Sequence, residues 1–200
     1  KALTRLKRRG VDDCVIVQAM DAVNSFYTRA CGGQHLDLSG SFDMPFSEDN
    51  YLKVARMKSA TTTECACHLG ALLATTSQEM IDTFTEFGYN LGMASQIAND
   101  IQGVTQGSDI LKRKVTLPVI YALAQADEYS RRKLESAFEK TCDSSPDPVR
   151  IRDLLFHCGA VHYATIKMEY YKQFALDLLL EAEKAGACVE RLKLFLEPTR

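Results

Sequence analysis

A chain of 200 residues, 46% hydrophobic and 25% charged, can bury one sizeable core, which argues against extensive disorder. We therefore predict a single domain over residues 1–200, and the helix-forming composition predicts that this domain is helical. The formal net charge of −2 argues against nucleic acid or an anionic membrane as the main partner.

The seven cysteines are scattered and odd in number, which is typical of reduced cytoplasmic thiols rather than of a disulfide framework. No apolar stretch approaches the roughly 20 residues that a bilayer-spanning helix requires. The chain opens at Lys1 without a signal-like segment and without methionine. We expect a cytoplasmic protein, and a fragment or processed form of it.

Helix-forming residues fill the long stretches between sparse Gly and Pro, and nothing alternates with the two-residue period of a strand. An all-α fold, an antiparallel helical bundle, is therefore predicted. Turn residues separate the helices at 32–33, 39–45, 75–77, 103–114 and 144–148. The predicted helices are 12–31, 48–75, 78–104, 118–126, 130–141, 148–157, 161–185 and a short tail near 189–196.

The helix predicted from residue 48 carries Lys58 amid apolar neighbours, followed by the small residues Ser59 and Ala60. A charge in this position is costly unless it is paired. Its ammonium group either reaches water along its own apolar stem or meets an anion.

The next predicted helix has Gly88, Gly92 and Gln96 at intervals of four residues, which places them on one helix face. An interior glycine costs roughly 1 kcal/mol of helix stability relative to alanine. The pattern therefore indicates a second use for the two glycines. This use is either the close approach of a neighbouring helix or room for a bulky ligand.

Gln96, Asn99 and Asp100 then share a face just before the expected helix end at Gly103. Oxygen ligands at this position suit a hard cation such as Mg²⁺, although Asn and Asp also commonly cap turns. Basic residues follow at 112–114. Cations, a metal ion and an amide together can hold a diphosphate, whereas a solvated basic loop is the alternative reading.

Four motifs stand in an order and spacing that resembles the C-terminal two-thirds of trans-isoprenyl diphosphate synthases. The resemblance covers the chain from about Asp12 to its end, and it is most specific in the middle. The four motifs are Gly33-Gln34-x-x-Asp37-Leu38, Tyr51 with Lys58-Ser59-Ala60, Gly92 with Gln96-Ile97-x-Asn99-Asp100-Ile101, and Gly107-Ser108-Asp109 with Lys114-x-Thr116-Leu117-Pro118.

This resemblance implies an isoprenoid synthase fold that ionises an allylic isoprenoid diphosphate with Mg²⁺ and transfers the prenyl group. It implies that Lys58, Ser59 and Gln96 contact the allylic diphosphate, with Lys114 close to the same group and Lys112 standing in for a further lysine. Lys58, Gln96 and Lys114 are the implied catalytic residues. The implied acceptor is isopentenyl diphosphate or another molecule such as a peptide, and the implied assembly is a homodimer or heterodimer.

The resemblance also implies that Asn99 and Asp100 hold Mg²⁺, but this chain departs from the family there. Asn99 stands where the family's motif has its first acid, and Gly103 stands where the motif has its last acid. The loop that follows the motif is short. The family's earlier acidic motif is absent from the 200 residues. These departures are similar to those of ComQ-type peptide prenyltransferases. They also leave open a catalytically impaired regulatory subunit of a heteromeric synthase, or a class I terpene cyclase.

Overall fold

The computed structural model describes residues 2–39, 47–139 and 145–197, and every regular element in these ranges is helical. The all-α prediction is thus confirmed for the described part of the chain. None of the described helices combines the length and the apolar character needed to cross a membrane. The helices are α1 (Ala2–Arg8), α2 (Asp13–Ser39), α3 (Glu48–Ala55), a π-helical segment (Arg56–Ala60), α4 (Thr61–Ala74), α5 (Gln78–Thr105), α6 (Ser108–Leu111), α7 (Leu117–Gln125), α8 (Glu128–Phe138), α9 (Pro148–His157), α10 (Ala160–Lys184), α11 (Glu190–Lys193) and a 3₁₀ turn (Leu194–Leu196).

The predicted break at Gly32–Gly33 is wrong, because α2 continues through both glycines to Ser39. Gly33 serves a packing purpose instead. A Cβ atom added there would lie 2.5 Å from the backbone nitrogen of Lys58 and 2.6 Å from the carbonyl carbon of Met57. Glycine at this position therefore allows α2 to approach the backbone of the π-helical segment closely. It is needed for this contact and does not end the helix.

Two short helices were not predicted. Helix α1 precedes the first predicted helix, and α6 lies within the segment 103–114 that was expected to be a turn. The turn predicted at 39–45 lies outside the described residues except for Ser39, which ends α2, and residues 140–141 of the predicted helix 130–141 also lie outside them. The remaining predicted helices are present within a few residues of their expected ends.

The described residues form two compact units. The first unit comprises 2–39, 54–93 and 171–197, and the second comprises 47–53, 94–139 and 145–170. The prediction of a single domain stays a prediction. The core of the first unit contains Phe87, Ala175, Leu179, Ala182 and Val189. The core of the second unit contains Val104, Ile110, Val119, Ala122, Ala126, Leu134, Phe138, Ile151, Leu155, Ala160 and Val161.

Within the first unit, α5 packs through the two glycines of its predicted face, with Gly88 against α4 and Gly92 against the end of the π-helical segment. A Cβ atom at Gly88 would lie 2.8 Å from the carbonyl oxygen of Thr63, and one at Gly92 would lie 2.6 Å from the Cα atom of Ala60. The prediction of a second use for these glycines is thus confirmed as close helix approach. The alternative, room for a ligand, does not describe this face, since backbone atoms occupy the space.

Candidate functional site

The candidate site of the second unit is centred on the carboxylate of Asp100, whose side chain is 1% exposed. The Tyr51 hydroxyl donates to its Oδ2 atom at 2.7 Å, and the Gln96 side-chain amide donates to Oδ1 at 2.9 Å. The Lys114 ammonium group donates to the same Oδ1 at 2.9 Å. A buried carboxylate is stable only when such donors and a counter-charge replace its lost hydration. We call these four residues, together with Asp109, the Asp100 network.

Lys114 reaches this network because of the backbone conformation that ends α6. Arg113 adopts the left-handed conformation with φ of 52°, and the Lys114 N–H donates to the carbonyl oxygen of Asp109 at 2.9 Å. This is the helix-ending arrangement in which the residue after a left-handed one bonds back across the last turn. The Lys114 ammonium group then lies 3.6 Å from Oδ2 of Asp109 and is bound to Asp100.

Gly103, the position where the family's motif carries its last acid, lies directly beneath the Asp109 carboxylate. A Cβ atom on Gly103 would be 2.3 Å from Oδ2 and 2.4 Å from Cγ of Asp109. Residue 103 must therefore lack a side chain for α6 to dock as it does. The glycine that looks like a simple loss in the sequence leaves space for a carboxylate supplied by another helix.

Asn99 and Asp100 were predicted to hold Mg²⁺. This stays a prediction, and the hydrogen bonds of Asp100 do not favour it. Asp100 is buried, and its two oxygens accept from a hydroxyl, an amide and an ammonium group. A hydrated Mg²⁺ ion requires accessible carboxylate oxygens. Asn99 is exposed, and within the described ranges no three His, Cys, Asp or Glu side chains lie together as ligands of a metal ion would.

Lys58 belongs to the first unit and forms an ion pair with Asp37 of α2. Of the two interpretations of this mid-helix lysine, the anion partner is confirmed. Lys58 lies in the π-helical segment, a rare geometry that is often found at functional sites. Its side chain is about one-third exposed, at 35%. The ammonium group is therefore oriented by a protein carboxylate while remaining accessible to a ligand.

The predicted site residues fall into three groups. Gln96, Asp100 and Lys114 are brought together in the second unit, whereas Lys58 and the half-buried Ser59 lie in the first. Lys112 and Asn99 lie beside network residues along the chain, and their side chains are exposed. Sequence reasoning did not assign roles to Tyr51, Asp109 or Asp37. All three lie within the four motifs of the family resemblance, and this position in the sequence could have marked them as candidates.

Glu48 begins α3 one turn before Tyr51 and fixes this helix within the second unit. Its Oε2 accepts from the Tyr163 hydroxyl at 2.5 Å, and its Oε1 lies 2.7 Å from the Lys167 ammonium group. The Tyr121 ring stacks on Tyr163 with a centroid distance of 4.2 Å. Burial opposes ionisation of Glu48, but the hydrogen bonds from Lys167 and Tyr163 outweigh it and lower the pKa of the carboxyl.

We expect the variant Glu48→Gln to be destabilised by about 1 kcal/mol at neutral pH, since a charge-assisted hydrogen bond is partly screened where its side chains are about one-third exposed. The lowered pKa of Glu48 means that its contribution is present above the usual value of 4.5 and disappears as pH falls through the folded-state pKa. The Glu48 hydrogen bond, opposed by burial, raises the pKa of Lys167, so on the alkaline side the contribution of the pair is complete below 10.5 and is lost as pH rises through the folded-state pKa of Lys167. Urea midpoints of the wild type and the variant should differ at pH 7, and the difference should shrink as the pH falls below 4.5. A constant difference across this range would contradict the prediction.

Comparison with known proteins agrees with the all-α fold. A solved geranylgeranyl pyrophosphate synthase from Bacteroides thetaiotaomicron superposes with a TM-score of 0.75 at 28% identity, covering 90% of this chain and 60% of that one. The fold is thus of the isoprenoid synthase type. Residues 2–151 match the family model of the polyprenyl synthetases, and the chain belongs to this family.

Two curated relatives indicate the breadth of the family around this chain. A geranylgeranyl diphosphate synthase from Mycobacterium tuberculosis is 34% identical over 183 residues, which cover 87% of this chain and 52% of the relative. A tryptophan prenyltransferase, ComQ from Bacillus spizizenii, is 28% identical over 148 residues, which cover 72% and 51%. The chain therefore spans about half the length of the curated relatives that it matches.

Proposed function

We propose that this chain is part of a prenyltransferase that ionises an allylic prenyl diphosphate in the presence of Mg²⁺. The observation that carries the proposal is the Asp100 network, in which an ammonium group and an amide of two family motifs are held together by a buried carboxylate. Diphosphate binding requires fixed cations and N–H donors of this kind. A cytoplasmic location is proposed on the scattered, odd cysteines alone.

In the proposed reaction the bond between the allylic carbon and the diphosphate oxygen breaks, and its electron pair leaves with the diphosphate. Negative charge grows on the leaving group, so fixed cations stabilise the transition state more than the ground state. We assign this role to Lys58, Lys114 and the exposed Lys112. Ser59 and Gln96 are assigned hydrogen bonds to the same group. A divalent ion bound together with the diphosphate would add positive charge there.

The allylic cation is then captured by an acceptor, which loses a proton after forming the new bond. Isopentenyl diphosphate is one proposed acceptor, because geranylgeranyl diphosphate synthases are among the relatives. A peptide side chain is the other, because the tryptophan prenyltransferase ComQ is also among them. Internal capture of the cation would make the protein a cyclase instead.

The test is to incubate the complete gene product with geranyl or farnesyl diphosphate, with and without isopentenyl diphosphate, and in MgCl₂ or EDTA. Prenyl transfer that depends on Mg²⁺ is expected. Cyclic products would show that the protein is a cyclase and not a prenyltransferase. No turnover together with no binding of either allylic diphosphate would refute the proposal.

A regulatory subunit is the second candidate, because Asn99 and Gly103 replace two acids of the family's motif. It predicts co-purification with a second chain that carries the intact acidic motifs. Activity of the homo-oligomer alone would rule it out.

Replacing Lys58 with methionine should weaken the binding of an allylic diphosphate about 10- to 100-fold, because a charge-assisted hydrogen bond to an anion is worth roughly 1.5–3 kcal/mol. Calorimetric titration of farnesyl diphosphate measures this change. Lys53→Met is the matched control, since Lys53 is an exposed lysine of α3. Equal affinities of the two variants would remove Lys58 from the binding site.

A further inference from the structure

We propose that the open groove between α8 and α9 in the second unit is a further binding site, whose ligand is an amphiphile with an anionic head group and a single apolar chain. The cavity of this groove measures about 840 Å³, which lies within the roughly 300–1,000 Å³ of small-molecule sites. The described residues that line it fall between Tyr129 and His157, after the last of the four motifs. The inference therefore goes beyond the proposed function and does not rest on it.

The floor of the groove is apolar and continuous with a packed core. Ile151 is 7% exposed and belongs to the core of the second unit, and the half-buried Ala137 and Leu154 pack against the same core. Ala137 lies on α8, whereas the other two residues lie on α9. Each helix thus turns apolar side chains toward the groove, and core packing holds them in place. An apolar chain can bury its surface there without first separating the two helices.

Lys133 is the groove's lysine, and its ammonium group rests on an aromatic ring. The ammonium nitrogen lies 4.1 Å from the ring centroid of Tyr129, one turn earlier on α8. Within the described ranges, no carboxylate lies at ion-pair distance from this nitrogen. A cation–π contact orients the charge but leaves the N–H donors available to an anion. Lys133 also precedes Ala137 by four residues, so the helix period places this charge beside the apolar floor.

Two arginines at the rim of the groove take part in exposed ion pairs. Arg132 lies 2.9 Å from Glu128 on α8, and Arg150 lies 3.3 Å from Asp147 at the start of α9. The two arginine side chains are 76% and 86% exposed. Exposed pairs contribute little to stability, so each guanidinium group can turn toward an incoming anion at little cost. Together with Lys133, these arginines place cations on both helices.

The two acids that line the groove have partners of their own. Asp147 caps α9, since its Oδ1 accepts from two N–H groups of the first turn at 3.0 and 3.3 Å. The Asp153 carboxylate lies 3.7 Å from the guanidinium group of Arg152. The Asp153 carbonyl oxygen is 2.8 Å from Nδ1 of His157 and can only accept, so Nδ1 carries the hydrogen and Nε2 is the nitrogen left for a ligand. The groups that the groove offers are therefore mainly basic.

A basic rim beside an apolar floor selects a ligand that has both characters. The rim alone would hold a small inorganic anion weakly, because exposed charges are screened by solvent. The floor alone would not distinguish an anionic amphiphile from a cationic one. An anionic amphiphile gains from both at once, with its head group between Lys133 and the rim arginines and its chain over Ile151 and Leu154.

The experiment is calorimetric titration of decyl phosphate, below its critical micelle concentration and in EDTA, into the wild type, Lys133→Met and Ala137→Glu. We expect the wild type to bind decyl phosphate at least tenfold more tightly than inorganic phosphate or decyltrimethylammonium. Lys133→Met should weaken binding about three- to tenfold through the loss of one charge-assisted contact at an exposed site. Ala137→Glu should abolish binding, because it places a carboxylate on the apolar floor. Lys53→Met, at an exposed position of α3, is the matched control and should bind as the wild type does.

The Lys58→Met variant separates this site from the proposed diphosphate site. It should retain the decyl phosphate affinity of the wild type, and a loss of at least tenfold would assign the binding to the diphosphate site and overturn the inference. Absence of binding to the wild type, or equal binding by the wild type, Lys133→Met and Ala137→Glu, would also overturn it. Circular dichroism melts identify any loss due to unfolding, and the exposed position of Lys133 keeps the test valid if Ala137→Glu does not fold.

Two further titrations into Lys58→Met distinguish the sources of such a ligand. Tighter binding of farnesyl diphosphate than of decanoate supports the inference and identifies an isoprenoid diphosphate as the natural class. The reverse order supports the inference with a fatty acid as that class. If neither ligand binds, the groove does not serve anionic amphiphiles and the inference is overturned, while the proposed function is unaffected.

Discussion

Replacing Gly92 with alanine is expected to destabilise the chain by about 2–3 kcal/mol, the cost of forcing an extra methyl group into a closely packed contact. The new Cβ atom would lie 2.6 Å from the Cα atom of Ala60 and 3.0 Å from its carbonyl oxygen. Both are backbone atoms of the turn that joins the π-helical segment to α4, and they cannot rotate away as a flexible side chain would. The substitution should therefore lower the urea midpoint.

Gly70→Ala is the matched control for this prediction. Gly70 lies within α4 on an exposed position, and a Cβ atom there would meet nothing within 4 Å. Alanine at such a site restricts the unfolded chain without a clash, so the control should gain about 0.5–1 kcal/mol. The two glycine-to-alanine changes thus have opposite expected signs. If both substitutions stabilise the chain, the close approach of α5 to the π-helical segment at Gly92 is wrong.

The second large effect is expected for Lys114→Met, which should cost about 2–3 kcal/mol of folding stability. The substitution leaves the Asp100 carboxylate buried without its cation, and breaking a fully buried ion pair costs roughly 3–5 kcal/mol. The estimate is lower here because the Lys114 side chain is 45% exposed and its charge is partly screened. Adding Asp100→Asn should recover most of this loss, since no uncompensated charge then remains.

Lys7→Met removes a lysine from an ion pair of similar length but different burial. Lys7 and Asp13 are 2.9 Å apart, with side chains 67% and 71% exposed. Exposed pairs contribute about 0–1 kcal/mol, so this control should change the unfolding free energy little. Urea titrations of all variants at pH 7 measure the comparison. A similar cost for the two lysine variants would mean that burial of Asp100 does not govern the effect.

The helical nature of the fold and the residues worth testing were largely readable from the sequence. The four-residue spacing of Gly88 and Gly92 predicted a closely packed helix face, and packing against α4 confirmed it. The same reasoning failed at Gly33, where an interior glycine was taken as a break. A local pattern cannot distinguish a glycine that ends a helix from one that admits a neighbouring backbone, because the difference lies in a contact 25 residues away along the chain.

The sequence by itself determined the all-α class, the family resemblance, and the grouping of Gln96, Asp100 and Lys114 as candidates. Only the tertiary structure decided that Asp100 accepts from Tyr51, and that Asp109 fills the space above Gly103. Helix propensity and period depend on neighbours along the chain, and these are explicit in the sequence. The partners of a buried carboxylate come from distant segments, and folding alone brings them within hydrogen-bonding distance.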